Sequence, residues 1–342
     1  MQVRILSIDG GGAKAIIPAI ILQYIEAKLQ ELAKNPKVHL SDFLDFVAGT
    51  AAGAIISTLI ITPNKNGKPA FYIGDVVNSL DNFAASYYRK KNWRTLWGYY
   101  GAQYPREQVE GVHIQYFDHW KMKDLLLPTA IPGYDILNRK PIIFTNKNGS
   151  TEYCDYFAKD VVQGSGASPH FINPKEFRDG IHKNIIINSN VLANNPAMIA
   201  YIEAGKTPQI IDKFKRVTPE NTFMVSLGTG LAKYQKYTSK DVKHWNKSSW
   251  FSLLTSMNIQ SSTILAEYEI RNLYKSYNME DNYIRIEPEV IMGSSNIMDT
   301  SEKNMLQLRQ DATNYIMANK KLLDNIALTL FNQDERVSKL LF

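Results

Sequence analysis

The chain has 342 residues, enough for one large α/β domain or two small ones, and 44% hydrophobic with 21% charged residues is ordinary globular composition. A net charge of +6 and a pI near 9.0 permit attraction to an anionic surface without requiring it. A single cysteine, Cys154, excludes an intramolecular disulfide framework and a cysteine-rich metal site.

Met1 runs almost at once into the strand-like Val3 to Ile8, with no charged and apolar leader, so no signal peptide is expected. No apolar run is long enough to span a bilayer. The expected setting is cytoplasmic, with any membrane contact peripheral, or export without a conventional signal peptide. After the strand comes the turn Asp9-Gly10-Gly11-Gly12-Ala13-Lys14, then a helix from Ile16 to Leu32 with Pro18 in its first turn. Bare glycine amides beside a lysine suit an oxyanion or a phosphate, and equally suit a tight βα turn with no ligand.

Phe43 to Ala48 and Ala54 to Ile60 are apolar runs that flank Gly49-Thr50-Ala51-Ala52-Gly53. This is the strand–turn–helix pattern of a nucleophile elbow, G-x-S-x-G, whose glycines permit a strained turn. The central position is Ala51, which has no nucleophilic atom. Between Ser86 and Tyr104, aromatic residues (Tyr87, Tyr88, Trp93, Trp97, Tyr99, Tyr100) interleave with Arg89, Lys90, Lys91 and Arg94. A cap on the core, a peripheral membrane contact and a partner surface all fit that stretch.

Pro141 to Asn146, the turn Lys147-Asn148-Gly149 and Ser150 to Phe157 predict a hairpin. Gly164 to Pro169 reads as a loop, Ile185 to Ile187 as a strand running into Asn188-Ser189-Asn190, and Ala197 to Ala204 as the start of a helix. Thr222 to Leu227 is a strand ending at Gly228-Thr229-Gly230, and Ser252 to Tyr274 a long amphipathic helix. Asn282 to Ile286 is a strand, and about 300 to 330 is helical. No repeat, low-complexity tract or linker interrupts the chain, which predicts a single domain over 1–342, with a motif-bearing core of about 1–230 and a helical part of about 250–342.

Taken together these motifs resemble the patatin-like phospholipases. Asp9 to Lys14 resembles that family's glycine oxyanion loop, with Ala15 where glycine is usual, and Gly49 to Gly53 resembles its elbow. Ala167-Ser168-Pro169 with Phe171 and Pro174 is loosely similar to its A-x-x-A-P-x-x-F-x-P stretch. Leu192-Ala193-Asn194-Asn195-Pro196 is similar to the A-N-N-P after its catalytic aspartate, and Val225 to Gly230 to its S-L-G-T-G. The resemblance implies a three-layer α/β/α sandwich around a mainly parallel sheet, with a Ser–Asp dyad and neither metal nor cofactor.

Carried over residue by residue, the nucleophile position is Ala51 and the base position Asn188. The oxyanion group is Gly10, Gly11, Gly12 and Lys14, and the elbow glycines are Gly49 and Gly53. Alanine cannot attack a carbonyl, and an amide is not a base near neutral pH. The expectation is a chain that does not hydrolyse esters by the family mechanism but keeps a pocket for a phospholipid or other acyl-ester lipid. A pseudoenzyme acting as an interaction protein or homo-oligomer is the alternative, and nucleic acid is not an expected partner. A laboratory Ser→Ala change would explain Ala51 alone. One natural loss would cover Ala15, Ala51, Asn188, Ser189 and Asn190 together.

Overall fold

The computed structural model describes every residue except 1, 89–103, 105, 148–151, 170, 180–181, 233–236 and 333–342. Its strands are β1 (Val3–Ile8), β2 (Phe46–Gly49), β3 (Thr129–Asp135), β4 (Lys140–Thr145), β5 (Lys175–Asp179), β6 (His182–Ile187), β7 (Thr222–Leu227), β8 (Leu231–Ala232), β9 (Tyr283–Ile286) and β10 (Glu289–Val290). The first half carries helices α1 (Ile16–Leu32), α2 (Ala52–Leu59), α3 (Ile73–Tyr88), α4 (Arg106–Phe117), α5 (Ala158–Gly166) and α6 (Asn190–Ala193). The second half adds α7 (Ala197–Ala204), α8 (Pro208–Phe214), α9 (Ser239–Lys243), α10 (Lys247–Ser276), α11 (Glu302–Ala318) and α12 (Lys320–Asn332).

The main sheet runs β5-β6-β3-β2-β1-β7-β9, with β4 paired to β3. From β3 through β2, β1 and β7 to β9 all neighbours are parallel. The β4, β5 and β6 pairings are antiparallel. β1 is fully buried because both its faces are covered, and its one charged side chain, Arg4, is paired there with Asp45 at 2.8 Å. Alternation along the pleat divides the core in two. Leu6, Ile8, Val47 and Val225 join the cluster made with α1, α2, α3, α11 and α12. Val3, Ile5, Phe46 and Met224 join the cluster made with α7, α8 and α10. Helices on both faces of a mostly parallel sheet make the three-layer arrangement.

The chain departs from its predicted elements in a few places. The hairpin partner of β4 is β3, register Tyr134↔Pro141 to Ala130↔Thr145, and not the segment after residue 149. Asp135 closes that connection by accepting from Leu137 N at 3.0 Å and Asn138 Nδ2 at 2.5 Å. Tyr153 and Tyr156, assigned to the second arm, stack instead around Phe144 and Phe177. The expected loop at 164–166 is the last turn of α5. Gly164 is there because a Cβ would stand 3.2 Å from Ile186 Cγ2 of β6, so helix and sheet pack closely. Most of the aromatic and basic stretch lies outside the described residues. Its last member, Tyr104, is buried, with its amide on Phe171 O at 3.0 Å.

Candidate active site

The parallel register aligns Ile8 with Gly49 on one side and Leu227 on the other. The glycine loop, the elbow and the Gly228–Gly230 turn therefore leave the sheet side by side at its carboxyl edge, where open α/β sheets bind ligands. The glycine loop is fastened from several directions. Asp9 N donates to Leu227 O at 2.9 Å, Gly10 N to Asn194 O at 3.1 Å and Ala13 N to Ile297 O at 2.8 Å. Gly12 sits at φ +56°, and a Cβ on it would lie 2.2 Å from Ile297 O, so only glycine fits. Gly11 and Gly12 amides have no acceptor among the described residues, which leaves each of them able to donate to a ligand.

The elbow is formed. Ala51 has φ 52° and ψ −115° and is the N-cap of α2. Its amide donates to Ser165 Oγ at 3.0 Å, and Ser165 Oγ donates to Pro132 O at 2.8 Å. Thr50 Oγ1 faces away, donating to Ala193 O at 2.7 Å. Gly49 and Gly53 are required by close approach: a Cβ on either would lie 2.3 Å from a backbone oxygen, of Gly53 and Ile8 respectively.

Asn188 follows β6, with its amide on Ala167 O at 3.0 Å and its Oδ1 accepting from Asn190 N at 2.6 Å. Ser189 Oγ donates to Pro132 O at 3.0 Å, the same carbonyl that holds Ser165. Strand β3 thus braces both sides of the site. Ala51 and Asn188 line one pocket with Gly12. The rest of its wall is mostly apolar and includes Ile16, Ile55, Leu80, Phe83, Met298 and Met305.

Lys14 stands apart from that pocket. Its Nζ donates to Gly230 O at 3.0 Å, and it lines a second cavity with Gly10, Gly11, Thr229 and Glu287. Burial lowers its ammonium pKa, while Glu287 and Asp9 oppose that shift. Of the four residues assigned to the oxyanion group, the pocket that holds Ala51 and Asn188 therefore receives Gly12. Gly10 and Lys14 serve the loop's anchorage, and Gly11 borders the second cavity.

Sequence motifs gave no sign of the ion cluster behind the loop. Arg285 of β9 donates to Asp9 Oδ1 at 2.9 Å and Oδ2 at 2.6 Å, and also pairs with Glu287. Glu287 Oε1 in turn accepts from Gly230 N at 2.9 Å. Burial pushes the Asp9 carboxyl up to about 7 against the pull of Arg285. Ser165 and Ile297 were equally hidden, since each acts through its contacts across the fold. Among the described residues no group of His, Cys, Asp and Glu is gathered to hold a metal.

An elbow, a glycine loop and a pocket at the carboxyl edge of a parallel sheet define an acyl-hydrolase-type fold. The patatin-like phospholipase family model matches residues 6–201, more than half of the chain, and the chain belongs to that family. Patatin-T5 of Solanum tuberosum is 27% identical over 322 residues, 90% of this chain and 82% of that protein. The protein named "Probable inactive patatin-3-Kuras 1", from the same plant, is 26% identical over 327 residues, 92% and 86% of the two chains. Among solved structures, VipD from Legionella pneumophila aligns over 94% of this chain and 71% of its own, at 14% identity and a TM-score of 0.36.

Proposed function

We propose that this chain is a patatin-like protein that binds an acyl lipid and does not hydrolyse it. The observation that carries the reading is the pocket itself, where the methyl of Ala51 and the amide of Asn188 share one apolar cavity with the Gly12 loop. The mostly apolar lining of that pocket supplies the driving force for an acyl chain. Attack on the acyl carbon needs an oxygen nucleophile at residue 51, and accepting its proton needs a carboxylate at residue 188. Neither is present. The relative named "Probable inactive patatin-3-Kuras 1" is in line with this reading.

The test compares the chain as it stands with Ala51→Ser, Asn188→Asp and the double variant, on soluble esters and phospholipid. The double variant should gain at least ~10³-fold over the parent, because a nucleophile and its base act as a unit. The two single variants should stay near the parent. Equal rates in Ala51→Ser and the double variant would show that residue 188 is not the base position. Hydrolysis by the unaltered chain would overturn the proposal outright. A fluorescent fatty acid that fails to bind would remove the lipid pocket.

A further inference from the structure

Helix α10 turns an apolar face to solvent. Trp250, Leu254, Met257, Ile264, Leu265 and Tyr268 are between 40% and 65% exposed. The inward face of the helix holds Ile270 and Tyr274, packed with α7 and the sheet. Positions 250, 254, 257, 261, 264 and 268 advance by alternating steps of four and three, which keeps them on one line along a helix. From 250 to 268 the line is roughly 27 Å long at the α-helical rise. So large an apolar stripe, left exposed among the described residues, marks a contact surface.

We infer that this face lies on the surface of an anionic lipid bilayer. The composition favours lipid over another helix. Residues 248–266 contain no charged side chain, and Ser261 interrupts the middle of the stripe. A coiled-coil seam would carry flanking charges to fix register and orientation, and none is there. The ends of the face suit headgroups. Tyr237, Trp245 and Trp250 form an edge-to-face ladder at its start, with ring centroids 4.7 and 5.2 Å apart. Lys240 and Lys243 of α9 are exposed beside them, and Tyr268 marks the far end. Aromatic rings and lysines at the margin of an apolar face are the marks of a helix lying in a bilayer interface.

The same face reaches the site. Ile264 lines the cavity behind the glycine loop together with Gly10, Gly11 and Leu231, and Leu231 is itself exposed. Docking through α10 therefore brings the loop region to the level of the lipid. The docking needs only the surface, so it stands whether or not the pocket binds an acyl chain.

The test is co-sedimentation of the full chain with vesicles of phosphatidylcholine and phosphatidylglycerol. Leu254→Glu/Leu265→Glu should weaken partitioning by about 10-fold or more, because two apolar side chains that enter the lipid are replaced by charges. Met317→Glu, on the exposed surface of α11, should partition as the parent does. Both exposed substitutions should leave the melting temperature unchanged. Binding of a fluorescent fatty acid without vesicles reads the pocket separately and should be the same in all three proteins. No partitioning by the parent, or equal partitioning by the double variant, would overturn the inference. So would a dimeric parent that the double variant converts to monomer, since the face would then belong to a second copy.

Discussion

Ala51 keeps a backbone that its side chain does not favour. A non-glycine residue at φ 52° and ψ −115° is strained by about 1–3 kcal/mol, and such strain persists only where the surroundings impose it. Here the imposition is visible: the amide is held by Ser165 Oγ, and α2 packs Gly53 against Ile8 O. In an active elbow that strain presents a hydroxyl, whereas this elbow presents a methyl. Ala51→Gly should therefore raise stability by about 1 kcal/mol, read as a higher urea midpoint at unchanged slope. A lower midpoint would mean that the methyl's packing in the pocket outweighs the relief of strain. The identity of residue 51 was plain from the spacing of Gly49 and Gly53, but its support was not. Ser165 lies 114 residues away, and a serine in a glycine-rich stretch carries no mark of its partner.

Between elements, Glu26 of α1 is a buried tie that no motif announces. Its Oε1 accepts from Leu40 N at 2.9 Å and its Oε2 from Ile73 N at 2.7 Å. One carboxyl thus fixes the segment before β2 and the first residue of α3. Burial pushes its pKa up to about 7, and the two backbone bonds only partly oppose this. A raised carboxyl pKa means that the fold favours the protonated form. The contribution is complete below the unfolded value near 4.5 and is lost as pH rises through about 7. Between pH 5 and 8 this group should remove on the order of 2 kcal/mol of stability. Glu26→Gln should flatten that decline in urea midpoints, leaving the slope due to Asp9, whose carboxyl shifts the same way. A difference between the two proteins that does not change with pH would show that Glu26 does not titrate in this range. Elements with a strong period were legible: β1, β7, β9, α1 and α10 fall close to their predicted spans. Helix α5 was not, because Gly164 and Gly166 weaken its helical pattern while close packing on Ile186 demands the first of them. The β3–β4 hairpin was missed because Asn148-Gly149 gives a stronger local signal than Asp135, whose turn depends on bonds to its own loop.

At the scale of the molecule, the family match ends at residue 201, yet the glycine loop is closed by elements that lie beyond it in the chain. β7 and β9 extend the sheet beside β1, Ile297 O holds Ala13, and Arg285 neutralises Asp9 at side-chain exposures of 7% and 2%. The two halves of the chain therefore contribute to the same two core clusters and to one charge cluster. Arg285→Met keeps most of the volume but leaves Asp9 and Glu287 facing each other without their cation. Breaking a buried pair from one side costs about 3–5 kcal/mol, because the remaining charge is stranded. That loss should appear in the unfolding of the whole chain as one transition, with circular dichroism and tryptophan fluorescence tracing the same curve. Raising the acidity should recover part of it, since protonating Asp9 removes the stranded charge. Two separate transitions, with only the later one shifted, would mean that the C-terminal third folds as its own unit and that the glycine loop is built without it.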